Sequence, residues 1–443
     1  MIFQNARVLT FDATNRVLDR GAVAIRHDGT IGGVYGAENA PRAAPGEEVV
    51  DARGKLLMPA LINCHTHLYS TLARGIALPG RTPRNFLEIL KKIWWRLDRA
   101  LNEEDVYESA MVGLIDAAKC GVGTLVDHHS SPNACPGSLD RLEQAFREVG
   151  VRGVLCYETT DRNGPVRARE GLRENVRFLE RLRGQPSDGL VAASFGLHAS
   201  FTLSDRTLRA CVEAAKSLGA GFHVHVAEDR CDVVQARKRT RKSPVGRLLD
   251  LEVLDDRALA AHCVHVNARD IAQLAYHRIN VVHNPQSNCN NAVGMAKLLE
   301  MTEHGVLVGL GSDGYSPRMW EEFKAALHLQ KLRHGDPRAG SAEVYAAALL
   351  NNRTIAQKIW GMQLGQIEPG AQADLILVDY YPPTPLHSEN LFGHILFGIA
   401  NASVDSLLVR GRYVIRGKEC VTVDERAVAE KAASHARALW ERF

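Results

Sequence analysis

A (β/α)8 TIM barrel with a small β-sandwich domain built from both termini is the α/β fold this sequence predicts, and three observations carry the prediction. The chain has 443 residues, enough for one barrel of roughly 250 residues and a smaller partner. Its central part repeats one pattern: a short apolar or β-branched run ends in polar residues and is followed by a helical stretch. Both ends instead alternate apolar and polar residues in short runs divided by turn signals.

Taken in order, residues 1–57 open the small domain. Met1–Gly36 reads as antiparallel strands around turns such as His27–Thr30, and Ala37–Gly46 as a surface connector. Residues 58–369 read as the barrel, with a first run, Leu56–Asn63, that reaches back across its edge and leads to His65–His67. Gly123–Val126 precedes Asp127–His129, Gly153–Tyr157 precedes Glu158, and Val191–Leu197 precedes His198. Gly221–Val226 carries His223 and His225, Leu259–Ala261 precedes His262, Asn280–Val282 precedes His283, and Val306–Leu310 precedes Asp313. Residues 370–443 return to the small domain: Ala373–Asp379 and Val404–Ile415 are strand-like, and a helix is expected from Asp424 onward.

Composition narrows the function classes. With 45% hydrophobic and 24% charged residues and no run of roughly 18 apolar residues, a membrane-spanning chain is not expected. A formal charge of +3 is too small to call for nucleic acid or an anionic membrane as partner. The basic run Arg237–Lys242 reads as a solvated loop, and Trp94 and Trp95 as packing residues. Nine cysteines without a C-x-x-C pair, behind an N-terminus lacking a secretory pattern, point to reduced thiols and a cytoplasmic location. The expected partner is a small molecule, and the expected assembly a homo-oligomer.

Barrel chemistry gathers at the C-terminal strand ends, where most of these runs carry a reactive residue. His65 and His67 share one side of a strand because side chains alternate, so both rings can reach one metal ion. His225 and Asp313 point at the same mouth; three His, one Asp and an open position suit Zn2+ or Fe2+. Glu228 stands three residues after His225, where a general base belongs, and His262 can hold the attacking water. His198 can face the substrate, as can one of His128 and His129. His223 reads as deeper in the barrel and His265 as structural.

PALINCHTH, HVHVAED, AHCVH, HNPQSN, GSDG and EPGAQADLILVD together resemble the amidohydrolase superfamily over nearly the whole chain. HLYSTLARGI, WWRLDRAL, DHHSSP, YETTDRN and YPPTPLHSEN are most similar to the SsnA-type aminohydrolases, relatives of guanine and 8-oxoguanine deaminases and of triazine chlorohydrolases. The resemblance implies a metal held by His65, His67, His225 and Asp313. It also implies Glu228 as proton shuttle, His262 and Asp313 positioning the water, and His198 contacting substrate, with His128 a second candidate. Binuclear members use a carboxylated Lys at a strand end; no run here ends in Lys, so one divalent ion per chain is expected, Zn2+ first and Fe2+ as the alternative. Ser70 stands where guanine-type deaminases often carry Gln, which argues against guanine and 8-oxoguanine.

The implied reaction is hydrolytic deamination of a purine-, pterin- or pyrimidine-like heterocycle. Dechlorination or amide hydrolysis at the same metal, and a catalytically silent scaffold, are the competing readings. The cytidine-deaminase zinc signature, H-x-E with P-C-x-x-C, is absent.

Overall fold

Two runs of parallel strands hold the centre of the computed structural model, which describes residues 1–443. The first contains β1 (Leu61–Thr66), β2 (Val122–Asp127), β3 (Arg152–Leu155) and β4 (Val191–Ala193), paired in that order. The second contains β5 (Phe195–Ala199), β6 (Phe222–Val226), β7 (Leu259–His262), β8 (Asn280–His283) and β9 (Leu307–Leu310). Parallel bridges link the two sheets, Thr66 with Asp313 and Thr159 with Leu197. Nearly every residue of these strands is buried, as parallel strands under helices require.

The eight expected runs become nine strands because Val191–Leu197 divides at Ser194: β4 pairs with β3, and β5 with β6. Gly196 lies so close to the Tyr157 backbone that a Cβ would sit 2.2 Å from its carbonyl oxygen. Into this break the helix Gly164–Arg183 inserts Asn175. Its Oδ1 accepts from the amides of Tyr157 (2.9 Å) and Gly196 (3.1 Å), and its Nδ2 donates to the Tyr157 carbonyl (2.8 Å). One side-chain amide thus satisfies groups that a ladder would otherwise pair.

The expected first run divides too. Leu56–Pro59 pairs with Ile2–Leu9 and Leu375–Val378, and the chain changes sheets at Ala60, whose amide still donates to Asp374 while that of Leu61 donates to Gly121. The sheet it leaves has nine strands drawn from both ends of the chain, in the order Glu419–Cys420, Arg412–Arg416, Val404–Val409, Leu375–Val378, Leu56–Pro59, Ile2–Leu9, Val17–Ile25, Ile31–Gly36, with Val49–Asp51 beside Ile2–Leu9. Phe3, Val8, Val23, Leu57 and Leu375 pack a separate apolar core there. Arg152 of β3, fully buried, joins this sheet to the parallel strands: Nε and Nη2 donate to Asp374 at 2.5 and 3.0 Å.

The basic run is not the loop expected from sequence. Arg237–Thr240 form the last turn of the helix Arg230–Thr240, and Arg241, at φ +60°, caps it. Cations at that end complement the helix dipole, and Arg239 donates to the Phe201 carbonyl at 2.8 Å. The final helix, Glu425–Arg442, begins on Asp424, whose Oδ1 accepts from the amides of Arg426 and Ala427, both at 3.0 Å. No helix is long and apolar enough to cross a membrane.

Candidate active site

The C-terminal ends of β1, β6, β7 and β9 bring His65, His67, His225, His262 and Asp313 to one place. His65 is the last residue but one of β1 and His67 follows two residues later on the same side; on β6, His225 sits one layer above His223. The rings of His65, His67 and His225 form a nearly equilateral triangle, with centroids 4.8, 5.1 and 5.2 Å apart.

Hydrogen bonds fix which nitrogen each ring offers. His67 Nδ1 donates to the His128 carbonyl (2.5 Å) and His225 Nδ1 to the His198 carbonyl (2.6 Å). The Cys156 thiol donates to the Asp127 carbonyl (3.5 Å), leaving its sulfur to accept from His223 Nδ1 (3.9 Å). His223 Nε2 then accepts from His65 Nδ1 at 2.8 Å. All three Nε2 lone pairs therefore face inward. That of His65 is buried without a partner, while those of His67 and His225 lie 3.2 Å apart with no hydrogen to share. Burial, and then the neighbouring His67, holds His65 well below the ordinary imidazole range, so it stays neutral. Asp313 Oδ1 lies 3.2 Å from His67 Nε2. Convergent ring nitrogens beside a carboxylate, their far sides anchored by hydrogen bonds, fit a divalent cation.

Around this cluster stand the other predicted residues. His262 is fully buried; its Nδ1 donates to Asn288 Oδ1 (2.8 Å), which turns Nε2 to within 3.6 Å of Glu228 and 3.7 Å of Asp313. Burial holds this ring below its ordinary range despite the pull of Asp313. The Glu228 carboxyl is pushed well above its own range, first by burial and then by the Asp313 charge. Ser287 Oγ donates to Asp313 Oδ2 at 2.5 Å. His198 lines the pocket. His128 does not, contrary to the substrate contact expected of it: its ring is fully buried between the Glu158 carboxylate (3.2 Å) and the His223 carbonyl (3.1 Å). His129 is buried as well, bonded to Ser131, and His265 bonds the Val293 carbonyl, as a structural residue would.

Several pocket residues escaped the sequence reading. Glu158 and Arg162, in the polar stretch after the third run, line the pocket, and Trp95 forms its wall with Phe86, Leu90 and Phe201. Arg162 lies over the Trp95 ring, 5.4 Å from its centroid. The strand-end position of Glu158 was the available signal. Trp95 gave none, because its helical spacing looks the same whether it faces a core or a pocket.

A site of this kind on parallel strand ends defines a metal-dependent hydrolase of the barrel class. The amidohydrolase family matches residues 56–414, and the chain belongs to that family and hydrolyses C–N bonds. It is 33% identical over 413 residues to a 5-methylthioadenosine/S-adenosylhomocysteine deaminase of Desulforudis audaxviator, covering 90% of this chain and 91% of the relative. A 5′-deoxyadenosine deaminase of Methanosarcina mazei is 31% identical over 446 residues, covering 99% and 98%. Among solved structures, an adenosine deaminase from Xanthomonas campestris with bound zinc superposes with a TM-score of 0.86 at 23% identity, covering 100% and 98%. A zinc-complexed atrazine chlorohydrolase from Arthrobacter aurescens gives 0.78 at 19%, covering 99% of both chains.

Proposed function

We propose that this chain is a mononuclear metal-dependent aminohydrolase that replaces the exocyclic amine of a purine-, pterin- or pyrimidine-like ring by oxygen. The observation that carries this reading is the convergence of three inward Nε2 lone pairs beside Asp313, with Glu228 and His262 at its edge. The names of the relatives support deamination over dechlorination. The two parallel sheets and their bridges support one closed barrel, and the single nine-stranded sheet built from both termini, with its own apolar core, supports a small β domain beside it, with Ala60 as the natural border between them. Nine free cysteines, five of them buried, suit a reducing cytoplasm.

His65, His67, His225 and Asp313 would hold one divalent ion, Zn2+ ahead of Fe2+. A bound ion there supplies Lewis acidity and an activated water. His262 Nε2 and Asp313 Oδ2, 3.7 Å apart, are placed to orient that water between them. As the water oxygen bonds to the amine-bearing carbon, Glu228 would carry one water proton to the adjacent ring nitrogen; the second water proton would then pass through Glu228 to the amine, the C–N bond would break, and ammonia would leave behind a ring carbonyl. His198 stands against the ring.

An amine must be protonated to leave and chloride need not be. On matched amino- and chloro-substituted rings the wild type is expected to favour the amino compound. Glu228→Gln should lose about a hundredfold or more on it, and far less on the chloro compound. Equal losses, or a wild-type preference for chloride, would overturn the aminohydrolase reading. Elemental analysis of chelator-washed, remetallated protein should find one ion per chain at full activity; two would overturn the mononuclear site.

A further inference from the structure

Glu158 is 2% exposed, yet no hydrogen bond within the protein holds its carboxylate, and the nearest nitrogen, His128 Nδ1, is itself without a partner. Oε1 lies 3.2 Å from His128 Nδ1, but Oε2 comes no nearer than 3.9 Å to Arg162 Nη1 or to His198 Nε2. Neither is a hydrogen bond. Arg162 is anchored through Nη2, which donates to Asp98 and to Ser130 Oγ (2.9 Å), and lies over Trp95, while its Nη1 stays 3.9 Å from Oε2. It neutralises the locality without filling Oε2. His198 offers no proton either. The Thr202 hydroxyl donates to the Ala199 carbonyl (3.0 Å) and so accepts from His198 Nδ1 (2.8 Å), leaving a lone pair on His198 Nε2. Two acceptors therefore stand side by side on the pocket wall with no donor between them, an arrangement that costs free energy until a ligand supplies one.

Position limits which part of a substrate could do so. Glu158 Oε1 is 3.6 Å from His67 Nδ1, one imidazole's width from the nitrogen facing the reaction centre. A group held there is separated from the reacting carbon by about a single ring, too near for a distant substituent.

Resting on the deaminase reading above, we propose that Glu158 selects the ring. Its Oε2 accepts from a ring N–H of the substrate, so the preferred substrate is an amino-substituted lactam. An adenine nucleoside, whose free ring nitrogens are all acceptors, sets lone pair against lone pair at the same place. A ring N–H donated to a buried carboxylate is a charge-assisted bond, the stronger kind.

The test uses zinc-loaded protein and pairs of rings: cytosine with 1-methylcytosine, pterin with its ring-N-methylated forms, and adenosine with 2′,3′-dideoxyadenosine. Ammonia release gives kcat/KM, and calorimetry gives affinity for the same compounds. In at least one lactam pair the wild type should favour the N–H ring by about tenfold or more in rate or affinity, and Glu158→Gln should erase most of that ratio. Metal content and Tm verify that the variant is folded; if it is not, Glu158→Asp, which draws the acceptor back by one methylene, serves the same comparison. An unchanged ratio in the folded variant overturns the proposal. So does a selective loss on adenosine relative to its dideoxy analogue, which would place ribose hydroxyls against Glu158. Absence of ammonia from every ring would defeat the deaminase reading, while the calorimetric ratios would still decide the role of Glu158.

Discussion

Ala227, His262, Cys263 and Asp313 all have positive φ, between +48° and +73°, and all stand where strands of the parallel sheets end at the pocket. Such backbone costs of the order of 1–3 kcal/mol at a non-glycine residue, and it persists only where surrounding structure enforces it. At His262 the enforcement is visible: the Cys263 amide donates back to Ala261 (3.1 Å) and across to Val226 (2.9 Å), folding the chain tightly about the imidazole. A buried carboxylate outside the cluster invites a pH experiment. Glu322 accepts from the amide (3.1 Å) and side chain (3.0 Å) of Gln286, the residue before the serine that holds Asp313. Burial, only partly countered by that amide, raises its carboxyl to about 8. A raised carboxyl contributes stability that is complete below its unfolded value and is lost as pH climbs through the folded one. Wild-type Tm should therefore fall relative to Glu322→Gln between about pH 5 and 8 and level off above. A constant offset across that window would show that Glu322 does not titrate there.

Among elements, the break between β4 and β5 shows what a sequence discloses and what it withholds. Each parallel run was legible as a hydrophobic stretch with a polar end; period-two alternation put His65 and His67 on one side of a strand, and strand-end placement put His225 and Asp313 at the same mouth. The division at Ser194 was not legible, because Asn175 lies some twenty residues upstream in a helix whose pattern looks ordinary. For the same reason the helical turn of Arg237–Thr240 was hidden: a run of cations has no apolar periodicity to display. His128 was misplaced because adjacent strand-end histidines carry no mark of which layer they occupy. Asn175→Ala should strip partners from buried groups of Tyr157 and Gly196 and destabilise the chain by roughly 2–4 kcal/mol. Hydrogen exchange should accelerate at those two amides first; uniform acceleration would show that the break has no local role.

For the molecule as a whole, the Arg152–Asp374 pair is where the two sheet systems depend on one another. Asp374 also accepts from the Arg410 amide at 2.8 Å, so one carboxylate ties β3 to two turns of the terminal sheet. Removing one member of a buried pair strands the other: Asp374→Asn should cost about 3–5 kcal/mol, and Arg152→Met with Asp374→Leu less than Asp374→Asn alone. Chemical denaturation of the three proteins measures this. If the double variant proved the weakest, the pair would contribute more than an apolar contact does at this junction.

The carbonyls of His128 and His198 hold the rings of His67 and His225. A carbonyl is the same whatever side chain its residue bears. The orientation of two of the three rings is thus inscribed in main chain, His65 being held instead by the His223 side chain, while the side chain at position 198 faces the pocket. Over evolutionary time such a layout permits inheritance of the reaction centre together with turnover of its clientele, since a substitution at 198 can alter which ring is accepted without unseating His225.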